Sequence, residues 1–277
     1  MKLALAAALA PAAALAQPVS VAVTELTQSV LPNVWATTPG TTAEVRFDYS
    51  DIDQLDLTML NALAHVQHLT PQGFGGYVRV PFIHVSDNED ADGMSLGGSG
   101  IGNVELGALF LAKLGPTTDL LARGGVAIGT ASEDDQNAIA LSTVLPRLVD
   151  FFASGLHTTW GRGQAQLRHE ANNLRFGAAL GLDMPVAGEG ADLNGFTGVV
   201  SIVAGAGFQH GKGGIGFSVV MLQILDDQDE GEENLMGVNL GADYALNPDA
   251  RLFVQMGLSL ENNSDGTSIG LGARVAF

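Results

Sequence analysis

The sequence predicts an all-β protein: a transmembrane, antiparallel, up-and-down β-barrel of about twelve strands, with ten and fourteen strands left open. The last eleven residues alternate, because Ile269, Leu271, Ala273, Val275 and Phe277 share one face and the residues between them are mostly small or charged. The chain combines 36 glycines with no cysteine, and no window offers the ~18 consecutive apolar residues of a membrane-spanning helix. Such two-sided strands fit a wall between lipid and a polar interior.

The first sixteen residues have the pattern of a secretory signal peptide. Lys2 gives a charged start, residues 3–10 form an apolar run, and residues 14–16 give a small-residue cleavage site. The apolar run is too short to cross a bilayer as a helix. The expected segments are a signal peptide at 1–16 that is removed on export, a periplasmic N-terminal segment at 17–40, and an outer-membrane β-barrel at 41–277.

Twelve later segments are candidate strands, and many of them alternate with period two. In the seventh, every second residue from Leu174 to Leu182 is apolar, and Arg175 and Asp183 lie on the opposite face. The second, sixth and ninth are the least regular. In chain order the predicted strands are 41–50, 55–67, 76–86, 102–114, 118–130, 156–168, 173–184, 195–209, 213–225, 234–246, 250–261 and 267–277.

The connections between these segments alternate between short and long, as outer-membrane barrels require. The short ones, which carry Gly, Pro or Asn in most cases, are predicted periplasmic turns. They lie at 69–75, 115–117, 169–172, 210–212 and 247–249. The predicted outer loops, which include every long connection, lie at 51–54, 87–101, 131–155, 185–194, 226–233 and 262–266.

The charged residues sort in the same way. Acidic residues concentrate in the predicted outer loops, and most of the 12 basic residues fall on strand positions. A charge on the lipid face at mid-bilayer would cost about 2–4 kcal/mol, so these side chains are predicted to face the lumen. The predicted lumen and path residues are Arg46, Arg79, Glu105, Arg123, Arg162, Arg168, Arg175, Asp183, Asp243, Arg251 and Arg274. Two interpretations stay open: a charged path that selects solutes, or cross-bracing that closes the lumen.

Within the predicted outer loop at 131–155, residues 136–154 are unusually apolar. Leu145, Leu148, Val149 and Phe152 recur at helical intervals around Pro146. One interpretation is a short helix that enters the lumen as a constriction or plug. The other is an additional strand pair, or a loop that packs on the barrel rim.

The hairpin formed by residues 100–110 and 120–130 resembles a known family. Gly100-Ile-Gly-Asn-Val-Glu-Leu-Gly is similar to a Gly-x-Gly-Asp-x-x-Leu-Gly strand of an uncharacterised outer-membrane barrel group, with Asn103 at the Asp position. That group is described as transporters or as components of a phenol-degradation (MetA) pathway. The resemblance implies passage of small solutes, with aromatic or hydrophobic compounds as the class.

Other functions are less well supported by the sequence. A net charge of −18 argues against nucleic-acid binding. The acidic loops lack the spacing of a calcium loop, so no metal and no cofactor is expected. His84 and Ser86 have the spacing of an outer-membrane phospholipase, but neither an orienting partner nor an oxyanion site is evident. We therefore predict no enzyme.

The aromatic residues and the chain terminus suggest contacts with the envelope. Trp35, Trp160, Tyr49, Tyr77 and Tyr244 are predicted to form an interfacial girdle, because they lie near predicted strand ends. By resemblance to outer-membrane proteins, the terminal Phe277 is an assembly signal for the barrel-assembly machinery. The expected partners are outer-membrane lipid and lipopolysaccharide, that machinery and a small-molecule solute. The predicted function is passive, gated or ungated solute passage; the alternative is a closed structural or surface-interaction barrel.

Overall fold

The structure, a computed structural model, describes residues 35–52, 57–87, 98–130, 150, 158–188, 196–226, 234–260 and 266–277. The predicted signal peptide and most of the predicted N-terminal segment lie outside the described residues. Within the described ranges, no helix is both long and apolar enough to cross a membrane.

Nearly all described residues belong to one antiparallel sheet that closes on itself. β2 pairs with both β1 and β3, and each remaining neighbour in the ring is also hydrogen-bonded. The strands are β1 (Gly40–Ile52), β2 (Leu57–Leu69), β3 (Phe74–Asp87), β4 (Gly98–Ile101), β5 (Val104–Gly115), β6 (Thr118–Ile128), β7 (Thr158–Ala171), β8 (Leu174–Gly188), β9 (Phe196–His210), β10 (Gly213–Asp226), β11 (Asn234–Ala245), β12 (Ala250–Ser259) and β13 (Gly266–Ala276). β4 and β5 share one position beside β3. The predicted twelve-stranded barrel is therefore confirmed.

The two ends of the barrel differ. One end, here called the turn end, carries the start of β1, the chain terminus and connections of two to four residues. The other, here called the loop end, carries every longer connection. Apart from the four-residue β4, the strands have 10 to 15 residues, which is at least about the ~9–11 residues that a tilted strand needs to cross a bilayer.

The turns differ from their predicted bounds at one informative place. β7 continues to Ala171, so the turn to β8 consists of Asn172 and Asn173 alone rather than 169–172. Asn172 has a φ of 56°, which asparagine tolerates better than most residues and which matches the twist of a two-residue hairpin. Sequence spacing alone does not show how tightly such a hairpin closes.

Side chains alternate between the two faces of the wall as the sequence predicts. On β1, Phe47 and Tyr49 are exposed on the outer face, and Arg46 and Asp48 are buried on the inner face. The outer face of the barrel carries Leu, Ile, Val, Met and Phe on every side, which suits contact with lipid.

The barrel has twelve staves, and β4 and β5 together form the fourth. This stave is interrupted at residues 102 and 103, whereas the sequence predicts one strand over 102–114. Pro81 in β3 has no amide hydrogen for the ladder, and Gly102 instead donates to the Pro81 carbonyl at 3.0 Å. Asn103 repairs the gap: its Nδ2 donates to the Thr158 carbonyl at 3.1 Å, and its Oδ1 accepts from the Thr130 amide at 3.1 Å. The side chain thus joins three staves where backbone pairing stops.

We expect Asn103→Ala to lower the free energy of unfolding by about 1–3 kcal/mol, because the carbonyl of the buried Thr158 loses a donor and the Thr130 amide loses one of its two acceptors. Denaturant titration of the refolded protein in lipid vesicles measures the loss. Asn173→Ala, at an exposed turn, is the control, with an expected change within about 0.5 kcal/mol. Equal effects of the two substitutions would contradict a bracing role for Asn103.

Candidate functional site

A network of charged side chains crosses the lumen around Glu105 on β5. Its carboxylate accepts hydrogen bonds from the Tyr77 hydroxyl at 2.6 Å and from Arg123 Nη1 at 2.5 Å. It also accepts from Arg79 Nη1 at 3.1 Å and from Arg162 Nη1 at 2.6 Å. All five residues are buried. Glu105 is therefore the common partner of four side chains from three strands, β3, β6 and β7.

Two further carboxylates complete this network, here called the Glu105 network. Asp150, from the connection between β6 and β7, contacts Arg79 at 2.6 Å and Arg162 at 3.1 Å. Asp183 on β8 contacts Arg162 at 3.0 Å. The three arginines are balanced by three carboxylates, so the network has no formal net charge. It therefore braces the lumen and does not by itself favour anions.

Glycines explain how Tyr77 reaches Glu105. Tyr77 pairs across the sheet with Gly107, which pairs with Gly125. A Cβ atom at Gly107 would lie 2.8 Å from Tyr77 Cε1, and one at Gly125 would lie 2.5 Å from Tyr77 Oη. The ring thus lies flat over these two positions, which belong to the hairpin that resembles the known family. Tyr77 is therefore a site residue, although its position near a predicted strand end suggests an interfacial girdle.

The first described residues of the chain occupy the lumen near the turn end. Trp35 is 2% exposed. Its ring lies edge-on to Tyr77 at 4.5 Å and to His65 at 4.7 Å between centroids, and the Arg123 guanidinium lies 4.7 Å from its centroid. Such cation–π and edge-to-face contacts each contribute about 0.5–2 kcal/mol. The residue is therefore held by the same side chains that surround Glu105.

Polar contacts hold the backbone next to Trp35. Gln67 accepts from the Ala36 amide at 3.0 Å and donates to the Ala36 carbonyl at 2.8 Å, as a neighbouring strand would. Arg168 Nη1 donates to the Thr37 hydroxyl at 3.1 Å. We call residues 35–37 the lumen segment. Trp35 and Ala36 are buried and Thr37 is partly buried. The periplasmic placement of residues 17–40 stays a prediction.

The remaining predicted path residues also lie on the inner face. Arg46 contacts Asp48 at 2.6 Å, Arg251 contacts Asp243, and Arg274 Nε donates to Glu44 at 2.9 Å. Arg175 Nε lies 3.5 Å from Glu170. The eleven side chains thus line the lumen from the turn end to the Glu105 network, mostly as ion pairs. A role in solute passage stays a prediction for each of them.

Cross-strand register joins six inner residues into one continuous row: Arg251, Arg274, Glu44, His65, Arg79 and Glu105, each opposite the next. Arg251 is the second residue of β12, near the turn end, whereas Glu105 lies far along β5 from its turn. The row climbs the wall because closing a barrel staggers neighbouring strands. The alternation along single strands does not reveal this order.

The opposite part of the inner wall carries few large side chains at mid-height. On β9 to β12 the inward positions in the middle of the wall are mainly glycine, serine and amide residues, whereas Gln209, Asp243, Phe253 and Arg251 lie inward nearer the turn end. The glycine, serine and amide residues are Gly205, Gly207, Gly214, Gly216, Ser218, Gly237, Asn239, Gly241, Gln255 and Gly257. At mid-height the lumen is therefore asymmetric: large charged side chains fill one side, and small residues line the other.

Towards the loop end this second side becomes apolar. Ala179, Val199, Val203, Val220 and Leu222 form one buried cluster on the inner face. Val199 pairs directly with Asp183 of the Glu105 network. An apolar area and a charged area therefore adjoin within the lumen.

The predicted constriction residues Leu145, Leu148, Val149 and Phe152 lie outside the described residues. Asp150, in the same connection, is fully buried against Arg79 and Arg162. The constriction itself therefore stays a prediction.

The predicted aromatic girdle is wrong for three of its five members. Trp35, Trp160 and Tyr77 are between 0% and 4% exposed and lie in the interior, whereas Tyr49 and Tyr244 are about half exposed on the outer face. Position near a strand end does not decide the face, because a shift of one residue turns a side chain to the other side.

The His84 ring contacts Ser99 on β4, with Nδ1 at 2.7 Å from the hydroxyl oxygen. Both residues are exposed, and Ser86 is two residues along the same strand. No described group of three or more His, Asp or Glu residues is arranged to hold a metal ion. Phe277 is 81% exposed and its amide donates to the Thr41 carbonyl at 2.9 Å, which ties the terminus to β1.

The barrel is similar to solved outer-membrane channels. An outer-membrane channel from Pseudomonas putida F1 matches with a TM-score of 0.69 at 15% identity, over 88% of this chain and 98% of that one. The KdgM porin in complex with disordered oligogalacturonate matches with a TM-score of 0.54 at 10% identity, over 85% and 99%. At these identities the likeness establishes the fold. No protein-family model and no curated protein matches the sequence.

Proposed function

We propose that the protein is an outer-membrane channel for the passive passage of small solutes, with its turn end in the periplasm. The fold is that of known outer-membrane channels. The inner face of the barrel is mostly polar, with one apolar cluster towards the loop end. Twelve strands enclose an interior between that of filled eight-stranded barrels and that of open porins. The assignment therefore depends on whether side chains leave room for a path.

The observation that carries the proposal is the asymmetric lumen. The Glu105 network spans only the side formed by β3 to β8. Across from it, the inward positions of β9 to β12 at mid-height are glycine, serine and amide residues. Glycine within a strand weakens the sheet and leaves no side chain to fill the interior, so a run of such positions supports a retained path along this side.

We propose that passage is gated by the lumen segment. Trp35 lies across the turn end between β2, β3 and β6, and it is held by side-chain contacts rather than by a strand ladder. Contacts of this kind can be released without breaking the barrel wall. Displacement of residues 35–37 would open the charged side of the lumen to the periplasm.

The proposed solutes are aromatic or other partly hydrophobic compounds. The hairpin of β5 and β6 resembles a family of transporters linked to phenol degradation, and we propose that the chain belongs to that family. The inward apolar cluster of β8 to β10 next to Asp183 supports solutes with both an apolar and a polar part. A membrane barrel of this kind needs no catalytic group, and we propose no enzymatic activity.

The proposed location is the bacterial outer membrane, reached by export and removal of residues 1–16. Phe277 closes β13 against β1, which supports its proposed role as a signal for the barrel-assembly machinery. Outer-membrane lipid and lipopolysaccharide are the proposed surroundings of the apolar outer face.

Conductance of the refolded mature protein in planar bilayers, with the reversal potential under a salt gradient, tests the channel. We expect steady currents, and we expect Arg123→Ala to shift the reversal potential towards cation preference. The reason is charge balance: the Glu105 network loses one of three positive charges and keeps its three carboxylates. Fixed charge along a narrow path sets ion preference.

Lys212→Ala is the matched control, because Lys212 is an exposed cation in the turn before β10. It should leave the reversal potential nearly unchanged. If neither the natural sequence nor the Trp35→Ala variant passed current, although both were folded, the channel function would be overturned.

The alternative is a closed structural or surface-interaction barrel. It is favoured by the burial of Trp35 and by the ion pairs that cross the lumen. In that case Arg123→Ala would lower stability without any effect on current. Conductance and unfolding measured on the same variants separate the two functions.

A further inference from the structure

One cross-strand row of the inner wall has no side chains over three neighbouring strands. Arg175 on β8 pairs with Gly207, Gly207 pairs with Gly216, Gly216 pairs with Gly241, and Gly241 pairs with Gln255 on β12. The row therefore forms a flat patch of backbone, bounded by a guanidinium at one end and an amide at the other. We call it the glycine floor.

Polar side chains border the glycine floor above and below. Towards the turn end, Gly214 pairs with Gln209 on one side and with Asp243 on the other. Towards the loop end, Ser218 pairs with Asn239. Amide, carboxylate and guanidinium groups thus surround a patch that carries no side chain itself.

A cavity of about 40 Å³ lies against this floor. Its polar side chains are Arg175, Gln209, Asn239, Asp243 and Gln255. Each water molecule needs roughly 10–15 Å³ of accessible cavity volume, so this cavity has room for about three. That is the size of a carboxylate with one neighbouring hydroxyl, and the rest of a larger molecule would extend into the lumen.

The polar groups of the cavity are unequally satisfied. Gln255 Nε2 donates to Asn239 Oδ1 at 2.8 Å, and Asp243 is paired with Arg251. Gln209 Nε2 donates to the Gly211 carbonyl at 3.3 Å, but its Oε1 has no hydrogen-bond partner among the described residues. A buried acceptor without a partner is costly, so a hydrogen-bond donor from a solute would be stabilised here.

Arg175 provides the positive charge of the cavity. Glu170 Oε1 lies 3.5 Å from Arg175 Nε, and a guanidinium has five N–H donors, enough for more than one acceptor. The Glu170 side chain is 41% exposed, whereas that of Arg175 is 13% exposed. A solute carboxylate in the cavity could approach the more buried guanidinium in the bidentate geometry that arginine favours.

Steric crowding by described residues does not explain the glycine at position 241. A Cβ atom there would lie 3.6 Å from the Val254 carbonyl oxygen, an ordinary contact distance. Alanine would therefore fit the wall, but its methyl group would enter the cavity. Glycine within a strand commonly marks the close approach of a ligand or of another backbone.

We propose that this cavity binds the polar end of a small hydroxycarboxylate, with the carboxylate on Arg175 and the hydroxyl donating to Gln209 Oε1. The glycine floor provides the space, and the solute's apolar part lies in the lumen. The proposal rests on the channel function above only for how the solute reaches the site.

Isothermal titration of the refolded full chain in detergent micelles tests the site with three related probes. Mandelate has both a carboxylate and a hydroxyl, phenylacetate lacks the hydroxyl, and benzyl alcohol lacks the carboxylate. We expect mandelate to bind about tenfold more tightly than phenylacetate, which is the contribution of one well-placed hydrogen bond. Benzyl alcohol should give no measurable binding.

Substitutions of Arg175 and Gln209 test the two proposed contacts separately. Arg175→Gln should weaken both acids by about tenfold or more, because a charge-assisted contact is lost, and Arg175→Lys should recover part of that loss. Gln209→Leu should remove the preference for mandelate and leave phenylacetate nearly unchanged. Circular dichroism and heat-dependent gel mobility verify that each variant is folded.

Gly241→Ala should weaken both acids, because its methyl group takes space in the cavity. Gly163→Ala is the matched control: nothing lies within 4 Å of the added Cβ atom, and position 163 is remote from the cavity on β7. Equal binding of mandelate and phenylacetate, unchanged binding in Arg175→Gln, or no binding of mandelate would each overturn the proposal.

The site and the channel can fail separately. Binding in micelles needs no current, so a protein that binds mandelate without conducting would contradict the channel and support the site. A protein that conducts without binding mandelate would contradict the site alone.

Discussion

Glu105→Ala is expected to lower the free energy of unfolding by about 3–5 kcal/mol, the usual loss when one partner of a buried ion pair is removed. Glu105 is the common acceptor for Arg79, Arg123 and Arg162. Without it, three buried guanidinium groups share only Asp150 and Asp183 within the network. A buried charge that loses its partner still has the free-energy penalty of desolvation, but it no longer has the attraction that offset it.

Glu105→Gln separates charge from shape. The amide keeps an oxygen for the Tyr77 hydroxyl but provides no negative charge, so we expect a loss close to that of alanine. Denaturant titration of the refolded protein in lipid vesicles measures both variants. The loss should also be weakly dependent on salt, since buried pairs are poorly screened.

The control is an exposed ion pair of the same barrel. Lys113 contacts Asp119 at 2.7 Å, with the lysine side chain 41% exposed. Asp119→Asn should therefore cost less than about 1 kcal/mol. If Glu105→Ala cost no more than Asp119→Asn, the Glu105 network would not stabilise the barrel.

Trp35→Ala is expected to raise the single-channel conductance severalfold. Removal of a buried tryptophan costs about 3–5 kcal/mol. Here we expect that loss to destabilise the docked position of the lumen segment rather than the barrel wall. Each ~1.4 kcal/mol changes an equilibrium tenfold, so the docked state loses a factor on the order of a hundred or more. Gln67 would still contact residue 36, and Arg168 would still contact residues 35 and 37.

The barrel wall should be little affected, because the closing pairs between β1, β2 and β13 do not involve Trp35. Trp35→Phe should retain most of the ring contacts and change conductance less. Tyr49→Ala is the aromatic control, since Tyr49 lies on the outer face at 48% exposure. A Trp35→Ala channel with the conductance of the natural sequence would show that the lumen segment is no gate.

The prediction of the fold succeeded because its signals are local. Alternation along each segment indicates which residues face lipid, and turn residues such as Asn172 mark the hairpins. All twelve predicted strands correspond to staves, including the three least regular ones. The break at Asn103 was missed, because it arises from Pro81 on a neighbouring strand.

The inward direction of the charged residues was also available from the sequence, since the bilayer penalises a charge on its lipid face. The sequence did not show that Tyr77 points inward to Glu105, although Gly107 and Gly125 give a signal in retrospect. It gave no sign that Trp35 enters the lumen, because residues 17–40 carry no periodic pattern.

The sequence by itself therefore determined the barrel, its staves and the face of most side chains, since period-two alternation is a property of each strand alone. Only the tertiary structure decided which charges meet. The row from Arg251 to Glu105 joins residues far apart in sequence through the stagger of a closed sheet. The same closure brings the glycines of β9, β10 and β11 side by side and places Trp35 against Arg123, because each contact depends on the register of several strands at once.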